Sequence, residues 1–235
     1  MSQALLRNSG ATLQPAMIKR GANSVLQAAK MDVFPEVFAP IEARLIDGYV
    51  MPMMGERSIG DAAQLQQALT KLKLLWHGCG KRERLSPYTI DEHHTLDVVP
   101  LARDGLIKPL MDWYYAMRNG SNVSHVVDEV HGDATLENIM VYEGRAVWID
   151  PSTRRMPAYA EFDCAKLLQT HFGYGAYQPE LGVDEFVKQE AKNKVLTGYF
   201  LMTHLVRLYK VQPQARAWAL DVANTLGPRL EEVYR

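Results

Sequence analysis

The 235-residue chain carries 26 basic and 27 acidic side chains, and its formal net charge of −1 does not imply a nucleic-acid partner. Hydrophobic residues make up 47% of the chain and charged residues 23%, which is typical of a globular protein with one domain or two small lobes. The chain has two cysteines, too few for a disulfide framework, and no apolar run of the roughly 20 residues that span a bilayer. Because the first residues also lack the apolar core of a signal peptide, we expect a cytoplasmic protein without a membrane span.

The first part of the chain alternates short apolar segments with turn residues, a pattern typical of strands. The segments ALLRNSGATL and PAMIKR predict two strands around a Gly-containing turn, and ANSVLQAAKM has the composition of a short helix. Asp47 and Gly48 lie between EARLI and YVMPM, which predicts a hairpin. We expect a compact, strand-rich part over residues 1–53.

The longer part, residues 54–235, has mostly helical spacing of its apolar residues. The segment DAAQLQQALTKLKLLWHG predicts a helix with Asp61 as its N-cap, and the helical pattern returns in residues 92–118 and from about 183 to 234. A small strand-rich part followed by a larger helical part predicts an α+β fold.

One segment of the second part breaks the helical pattern. Residues 139–142 and 146–149 are apolar and rich in β-formers, and Glu143 with Gly144 supplies a turn between them. This predicts a two-stranded hairpin within the helical part.

Polar side chains flank this predicted hairpin. Asn138 precedes it and Asp150 follows it, so we expect the two side chains to lie close together. Their oxygens are hard ligands that suit Mg²⁺ or Mn²⁺. Asp133 can face the same centre and accept a hydroxyl proton during phosphoryl transfer. A capped loop whose side chains satisfy their own backbone is the alternative explanation for Asp133 and Asn138.

Three short motifs carry a family resemblance. HGDATLEN at residues 131–138 resembles the HGDxxxxN catalytic loop of the aminoglycoside phosphotransferase and choline kinase group, a relative of the protein-kinase catalytic loop. IDP at residues 149–151 resembles the metal-binding segment of that group, and EFDCAKLL at 161–168 resembles its D-L-A-K-L helix start. Together the motifs look most like small sugar- or capsule-associated members.

The resemblance implies a protein-kinase-like fold of two lobes, with a nucleotide-binding lobe over residues 1–53 and a catalytic and acceptor-binding lobe over residues 54–235. It implies that Asp133 is the catalytic base and that Asn138 and Asp150 are the metal ligands. His131 would support the catalytic loop, and Asp163 would anchor that loop through backbone hydrogen bonds.

The resemblance also implies nucleotide contacts in the first lobe. They are the strand lysine Lys19, a phosphate-covering turn with Asn8, Ser9 and Gly10, and a hinge with Met51 and Met53. An exposed lysine closing a strand and a plain turn are the alternatives for the first two. The helical glutamate that pairs with the family's lysine has no counterpart in residues 22–31, which contain no acid. Glu36 and Glu42 are the candidates to replace it, and a different partner for Lys19 is the alternative.

These features predict a phosphotransferase that uses ATP and Mg²⁺ and moves the γ-phosphate to a hydroxyl of a small molecule, such as a sugar, an amino alcohol or an aminoglycoside-like compound. Protein-kinase-like activity on a macromolecule is an alternative. Only 12 residues separate Asp150 from Asp163, with no A-P-E segment, which argues against it. A nucleotide-binding pseudokinase scaffold is the other alternative. The acceptor, the choice between ATP and GTP and the oligomeric state stay open.

Overall fold

The chain divides into two compact units, and the predicted catalytic residues fall in the first. One unit contains Met1–Leu75 with His131–Arg154, and the other contains Trp76–Val130 with Arg155–Arg235. The predicted lobe boundary after residue 53 stays a prediction. The computed structural model describes residues 2–7, 13–54, 61–77, 82–84, 123–125, 127–153, 159–173, 181–211, 213 and 216–222.

A four-stranded antiparallel sheet forms the N-terminal part of the first unit. Its strands are β1 (Ser2–Arg7), β2 (Leu13–Arg20), β3 (Ala43–Leu45) and β4 (Gly48–Pro52), in the spatial order β1-β2-β4-β3. The predicted strands and the hairpin after Leu45 are confirmed, although Ile46 and Asp47 form the turn and Gly48 already belongs to β4.

Gly48 is required by the close packing of β2 against β4. A Cβ at this position would overlap the carbonyl oxygen of Lys19 and would lie 2.9 Å from the Cα of Arg20. Because both obstacles are backbone atoms, a side chain at this position would push the two strands apart. The pairing of β2 with β4 places Lys19 directly opposite Tyr49.

Helix α1 (Ala22–Val33) follows β2 and packs against β4 and β2. It confirms the helix predicted from ANSVLQAAKM. Its buried residues are Ser24, Ala28 and Met31, and Gln27 and Lys30 are polar residues elsewhere on the helix. Near its end, Asp32 forms an ion pair with Arg44 of β3. The helix is thus fixed to the sheet and keeps polar side chains for other contacts.

Helix α2 (Ala62–Leu75) begins where the sequence predicts. The Asp61 carboxylate accepts hydrogen bonds from the N–H groups of Ala63 (2.9 Å) and Gln64 (3.0 Å), as an N-cap does. Its apolar face is fully buried and consists of Leu65, Ala68, Leu69, Leu72 and Leu75.

The predicted hairpin is present as β7 (Ile139–Tyr142) and β8 (Arg145–Trp148), preceded by a 3₁₀ turn, Leu136–Asn138. Glu143 (φ 48°) and Gly144 (φ 73°) both have positive φ, as a two-residue type I′ turn requires. The indole N–H of Trp148 donates to the carbonyl of Ala68 on α2 (2.8 Å). The hairpin is therefore anchored on α2.

The second unit is mainly helical in the part that the structure describes. It contains a short strand pair, β5 (Arg82–Arg84) and β6 (Val123–His125), then α3 (Ala160–Gly173), α4 (Val183–Glu190), α5 (Lys194–Val211) and a helical segment at 216–222. Helix α3 packs on α5 and α4. The sequence did not predict β5 and β6, and the predicted helical stretch at 92–118 lies outside the described residues. Among the described helices, none is long and apolar enough to cross a bilayer.

Candidate active site

His131 joins the predicted catalytic loop to the end of β8. Its imidazole is fully buried, with Nε2 3.0 Å from the carbonyl oxygen of Ile149 and Nδ1 3.3 Å from the N–H of Asp133. These partners require a neutral ring that donates from Nε2 and accepts at Nδ1. Burial lowers the pKa of His131 to about 3, so the ring is neutral at physiological pH.

Backbone and ring contacts reinforce this junction. The carbonyl of His131 accepts a hydrogen bond from the N–H of Ser152 (2.8 Å), so the loop also binds the chain beyond Asp150. Phe38 and Trp148 pack beside the imidazole, with ring centroids 5.6 and 5.0 Å away. Gly132 has φ 78°, a conformation that favours glycine. The contacts of His131 are those that its predicted supporting role requires.

Asn138 links Asp133 to the chain that leads into Asp150. Its side-chain N–H donates to the carbonyl of Asp133 (2.8 Å), and its own carbonyl accepts the N–H of Ile149 (2.9 Å). The two ends of the hairpin are therefore adjacent, as the sequence predicts. Because the amide nitrogen faces Asp133, the amide oxygen is the atom with metal-ligand chemistry. Asp133 is half-buried.

Asp150 has an unusual backbone conformation. Its φ of 59° lies in the left-handed region, which costs an L-residue about 1 kcal/mol but which Asp and Asn adopt more readily than most. Its side chain is 24% exposed and forms an ion pair with Lys19. The chain thus holds this carboxylate in a defined direction at the end of the hairpin.

Lys19 pairs with Asp150, which answers the question of its partner. The two acids considered from the sequence lie near other groups. The charge of Glu36 favours the ammonium form of Lys71, and the charge of Glu42 raises the pKa of Tyr142. Burial lowers the pKa of Lys19 to about 8, whereas the carboxylate beside it favours the ammonium form. The ion pair with Asp150 explains how the Lys19 ammonium group can be buried although α1 has no glutamate.

The other predicted nucleotide contacts are less defined. Met51 is fully buried in β4 opposite Met17, and Met53 follows the strand with its side chain 42% exposed. Their predicted role as a hinge rests on backbone groups and stays a prediction. The predicted phosphate-covering turn with Asn8, Ser9 and Gly10 lies outside the described residues.

Helix α1 contributes contacts that the sequence analysis missed. Gln27 donates from Nε2 to the carbonyl of Pro151 (3.0 Å), and Lys30 donates from Nζ to the carbonyl of Ser152 (3.4 Å). A third contact joins the Thr153 hydroxyl to the Asn23 side chain (3.4 Å). The spacing of residues 23, 27 and 30 on one helical face was the available signal.

Asp163 lies in the second unit, near the start of α3. It is fully buried, and its Oδ2 accepts a hydrogen bond from the indole N–H of Trp76 (3.1 Å). Burial of a carboxylate requires such partners. Its predicted contact with the catalytic loop stays a prediction.

Asn138 and Asp150 at the two ends of the hairpin carry oxygens of the kind that suits a hard divalent cation. Mg²⁺ commonly takes only one or two protein ligands, the others being waters and phosphates. No cluster of three or more His, Cys, Asp or Glu that could hold a metal occurs in the described ranges. The residues at the hairpin ends therefore fit Mg²⁺ bound together with a nucleotide.

Comparison with solved structures identifies the fold. A Thermobifida fusca protein described as a fructosamine-3-kinase has 15% sequence identity and a TM-score of 0.57, over 95% of this chain and 92% of that one. A glucosamine kinase in complex with glucosamine, ADP and inorganic phosphate has 13% identity and a TM-score of 0.50, over 97% and 76%. A second crystal form of glucosamine kinase has 12% identity and a TM-score of 0.51, over 99% and 81%.

The chain has a protein-kinase-like fold. The resemblance inferred from the catalytic-loop motif is confirmed at this level, because these neighbours belong to the protein-kinase-like superfamily. No protein-family model matches the chain, and the search of curated proteins found no match. By their sequence motifs, the loop of residues 131–138 resembles a catalytic loop and the segment 149–151 resembles a metal-binding segment, and these two roles stay predictions.

Proposed function

We propose that this protein is a small-molecule kinase that moves the γ-phosphate of ATP to a hydroxyl group. The observation that carries the proposal is the joining of three elements in one unit: Lys19 pairs with Asp150, Asp150 follows the hairpin that Asn138 opens, and His131 ties the loop of Asp133 to that hairpin. A kinase-like fold with this set supports phosphoryl transfer, in which positioning and charge neutralisation dominate.

Each side chain has a defined task in this proposal. Asp133 orients the acceptor hydroxyl and takes its proton at a carboxylate oxygen. When a nucleotide binds, the Lys19 ammonium group contacts its phosphates and interacts less with Asp150. The Asn138 amide oxygen and the Asp150 carboxylate would hold Mg²⁺, which would neutralise charge on the phosphates when bound. Backbone groups near Met51 and Met53 contact the adenine.

The acceptor in this proposal is a sugar, an amino alcohol or an aminoglycoside-like compound. The kinase neighbours support this class, since their descriptions name fructosamine and glucosamine. Identity of 12–15% does not carry a substrate from those proteins to this one, so the acceptor has to be found by assay.

The test is a phosphorylation assay with ATP and Mg²⁺ over a panel of hydroxyl-bearing metabolites, read as a mass increase of one phosphate. We expect product with the wild type and a turnover about 10²–10⁴-fold lower for Asp133→Asn, because the general base is lost. The exposed Asp128, changed to Asn, is the matched control and should keep wild-type turnover. Full turnover of Asp133→Asn on the same acceptor would refute the assignment of the base.

A nucleotide-binding scaffold is the second candidate. The observation that favours it is the absence of an acid from residues 22–31, where the family has a glutamate. A scaffold has no need for the set of Asp133, Asn138 and Asp150, which is why we prefer the enzyme. ATP binding without product over the whole panel would favour the scaffold instead.

A further inference from the structure

Helix α1 contacts the three residues that follow Asp150. Gln27 reaches the carbonyl of Pro151, Lys30 reaches the carbonyl of Ser152, and Asn23 meets the hydroxyl of Thr153. These contacts join residues more than 120 positions apart in the sequence. One face of the helix therefore runs along the segment that leaves the catalytic hairpin.

The chemistry of these contacts differs from a carboxylate–lysine pair. Gln27 and Lys30 are donors, and the carbonyl oxygens of Pro151 and Ser152 accept from them. A carboxylate at either position of the helix could not donate. Since Lys19 already pairs with Asp150, the helix acts on the backbone after Asp150.

The segment needs such support because of its backbone. Asp150 lies in the left-handed region, directly before Pro151, and conformations of this kind persist where the surroundings hold them. On one side, His131 binds the carbonyl of Ile149 and the N–H of Ser152. On the other side, Gln27 makes the shorter of the two contacts from α1, 3.0 Å against 3.4 Å for Lys30.

We propose that Gln27 is a positioning residue that holds the Asp150 carboxylate in place by donating Nε2–H to the carbonyl of Pro151. Its effect on the backbone stands on the structure alone, whereas its effect on the bound cation rests on the proposed function. Gln27 touches neither substrate nor metal and acts through Asp150.

The first experiment measures amide hydrogen exchange of the ligand-free full chain in the peptide that covers residues 149–153. We expect exchange about tenfold faster in Gln27→Ala and in Gln27→Glu, since each removes the donor and one hydrogen bond is worth about that factor. Gln27→Lys retains a donor on an unbranched side chain and should exchange like the wild type. Gln66→Ala, which truncates an exposed glutamine of α2, is the control.

The second experiment measures the affinity for Mn²⁺ in the presence of ADP, by paramagnetic resonance of the bound ion. We expect Gln27→Ala and Gln27→Glu to bind Mn²⁺ about tenfold more weakly, as is typical when a residue supporting a metal ligand is lost. Gln27→Lys should retain near wild-type affinity. A merely structural role would lower stability and leave this affinity unchanged.

The outcomes separate the inference from the proposed function. Unchanged exchange at residues 149–153 in both donor-less variants would overturn the positioning role, as would unchanged Mn²⁺ affinity alongside faster exchange. Tighter Mn²⁺ binding by Gln27→Glu would also overturn it, because the helix would then act as the family's carboxylate does. Wild-type protein that binds no Mn²⁺ with ADP refutes the proposed function, and faster exchange would still support the effect of Gln27 on the backbone.

Discussion

Lys19, His131 and Asp150 show how burial changes side-chain chemistry at the scale of single residues. Burial makes His131 a neutral hydrogen-bonding bridge, since its pKa is lowered to about 3. Lys19 keeps an adjacent carboxylate as it leaves water, which limits the cost of placing its charge there. Asp150 accepts a left-handed backbone that directs its carboxylate. Each of the three can be tested separately.

Nucleotide binding should weaken at alkaline pH. Burial lowers the pKa of Lys19 to about 8, so the ammonium form is present below that pH and is lost above it. We expect ADP affinity, measured by calorimetry from about pH 6 to about pH 10, to fall by up to about tenfold per pH unit above 8. Lys19→Arg keeps its charge over this range and should remove the alkaline loss. A wild-type affinity that stays constant over the range would contradict this assignment.

Two substitutions of Asp150 should separate its backbone from its charge. Asp150→Asn and Asp150→Ala both remove the carboxylate and the ion pair with Lys19, so both should reduce phosphoryl transfer at least about 10²-fold. Asn tolerates the left-handed region better than Ala, so Asp150→Ala should be the less stable variant by about 1 kcal/mol. Urea unfolding measures the difference. Equal stabilities would show that the φ of 59° is not a constraint.

At the scale of elements, the sheet, α1, α2 and the hairpin position the site by contacts between distant segments. Residues 37–39 run beside β8, and backbone hydrogen bonds join Trp148 to Val37 (3.0 Å) and to Ala39 (2.9 Å). Helix α2 also holds the hairpin, since Lys71 donates to the carbonyl of Ala146 (2.7 Å). The ends of the hairpin, which carry the candidate ligands, are thus fixed from several sides.

Two glycine substitutions should lower the free energy of unfolding by different amounts, because only one of them places a Cβ against backbone atoms. Gly48→Ala places a Cβ against the backbone of Lys19 and should cost about 2–3 kcal/mol, since β2 and β4 must separate. Gly144→Ala meets no atom within 4 Å and should cost about 1 kcal/mol, from its positive φ. Urea unfolding tests this order. Gly48→Ala should also weaken ADP binding, because it moves Lys19; a smaller stability loss than for Gly144→Ala would contradict the packing argument.

At the scale of the whole molecule, the kinase-like fold accounts for nearly the whole chain, since the first comparison covers 95% of it. The candidate base, metal ligands and nucleotide contacts of the described part fall within one of its two compact units. That unit combines the N-terminal sheet with a segment from the middle of the chain. The free energy of unfolding of this unit should therefore depend on pH through the buried titratable groups at the site.

Acid should destabilise the folded protein through His131. Its folded pKa of about 3 lies below the ordinary value of about 6.5, so the unfolded chain binds the proton first. The contribution of the buried neutral ring to the free energy of unfolding is fully present above about pH 6.5. It is lost as the pH falls toward 3, by up to about 1.4 kcal/mol per pH unit. Urea unfolding between about pH 6.5 and about pH 5 should show the slope, and His131→Gln should reduce it. The same slope in that variant would assign the effect to other groups.

The sequence predicted what depends on neighbours along the chain. The apolar, β-rich segments 139–142 and 146–149 around Glu143 and Gly144 form a hairpin, and Asp61 caps α2, because turns and caps are set by local backbone chemistry. The motif of residues 131–138 likewise indicated the kinase-like fold that the chain has.

Only the tertiary structure decided the partners of side chains far apart in the sequence. Lys19 pairs with Asp150, and Gln27 reaches Pro151, because the sheet, α1 and the hairpin come together in one unit. The periodicity and spacing of the sequence do not predict such contacts, since they depend on how whole elements pack. The sequence by itself determined the motif residues that we predict to perform phosphoryl transfer, and the packing of elements decided which partners hold them in place.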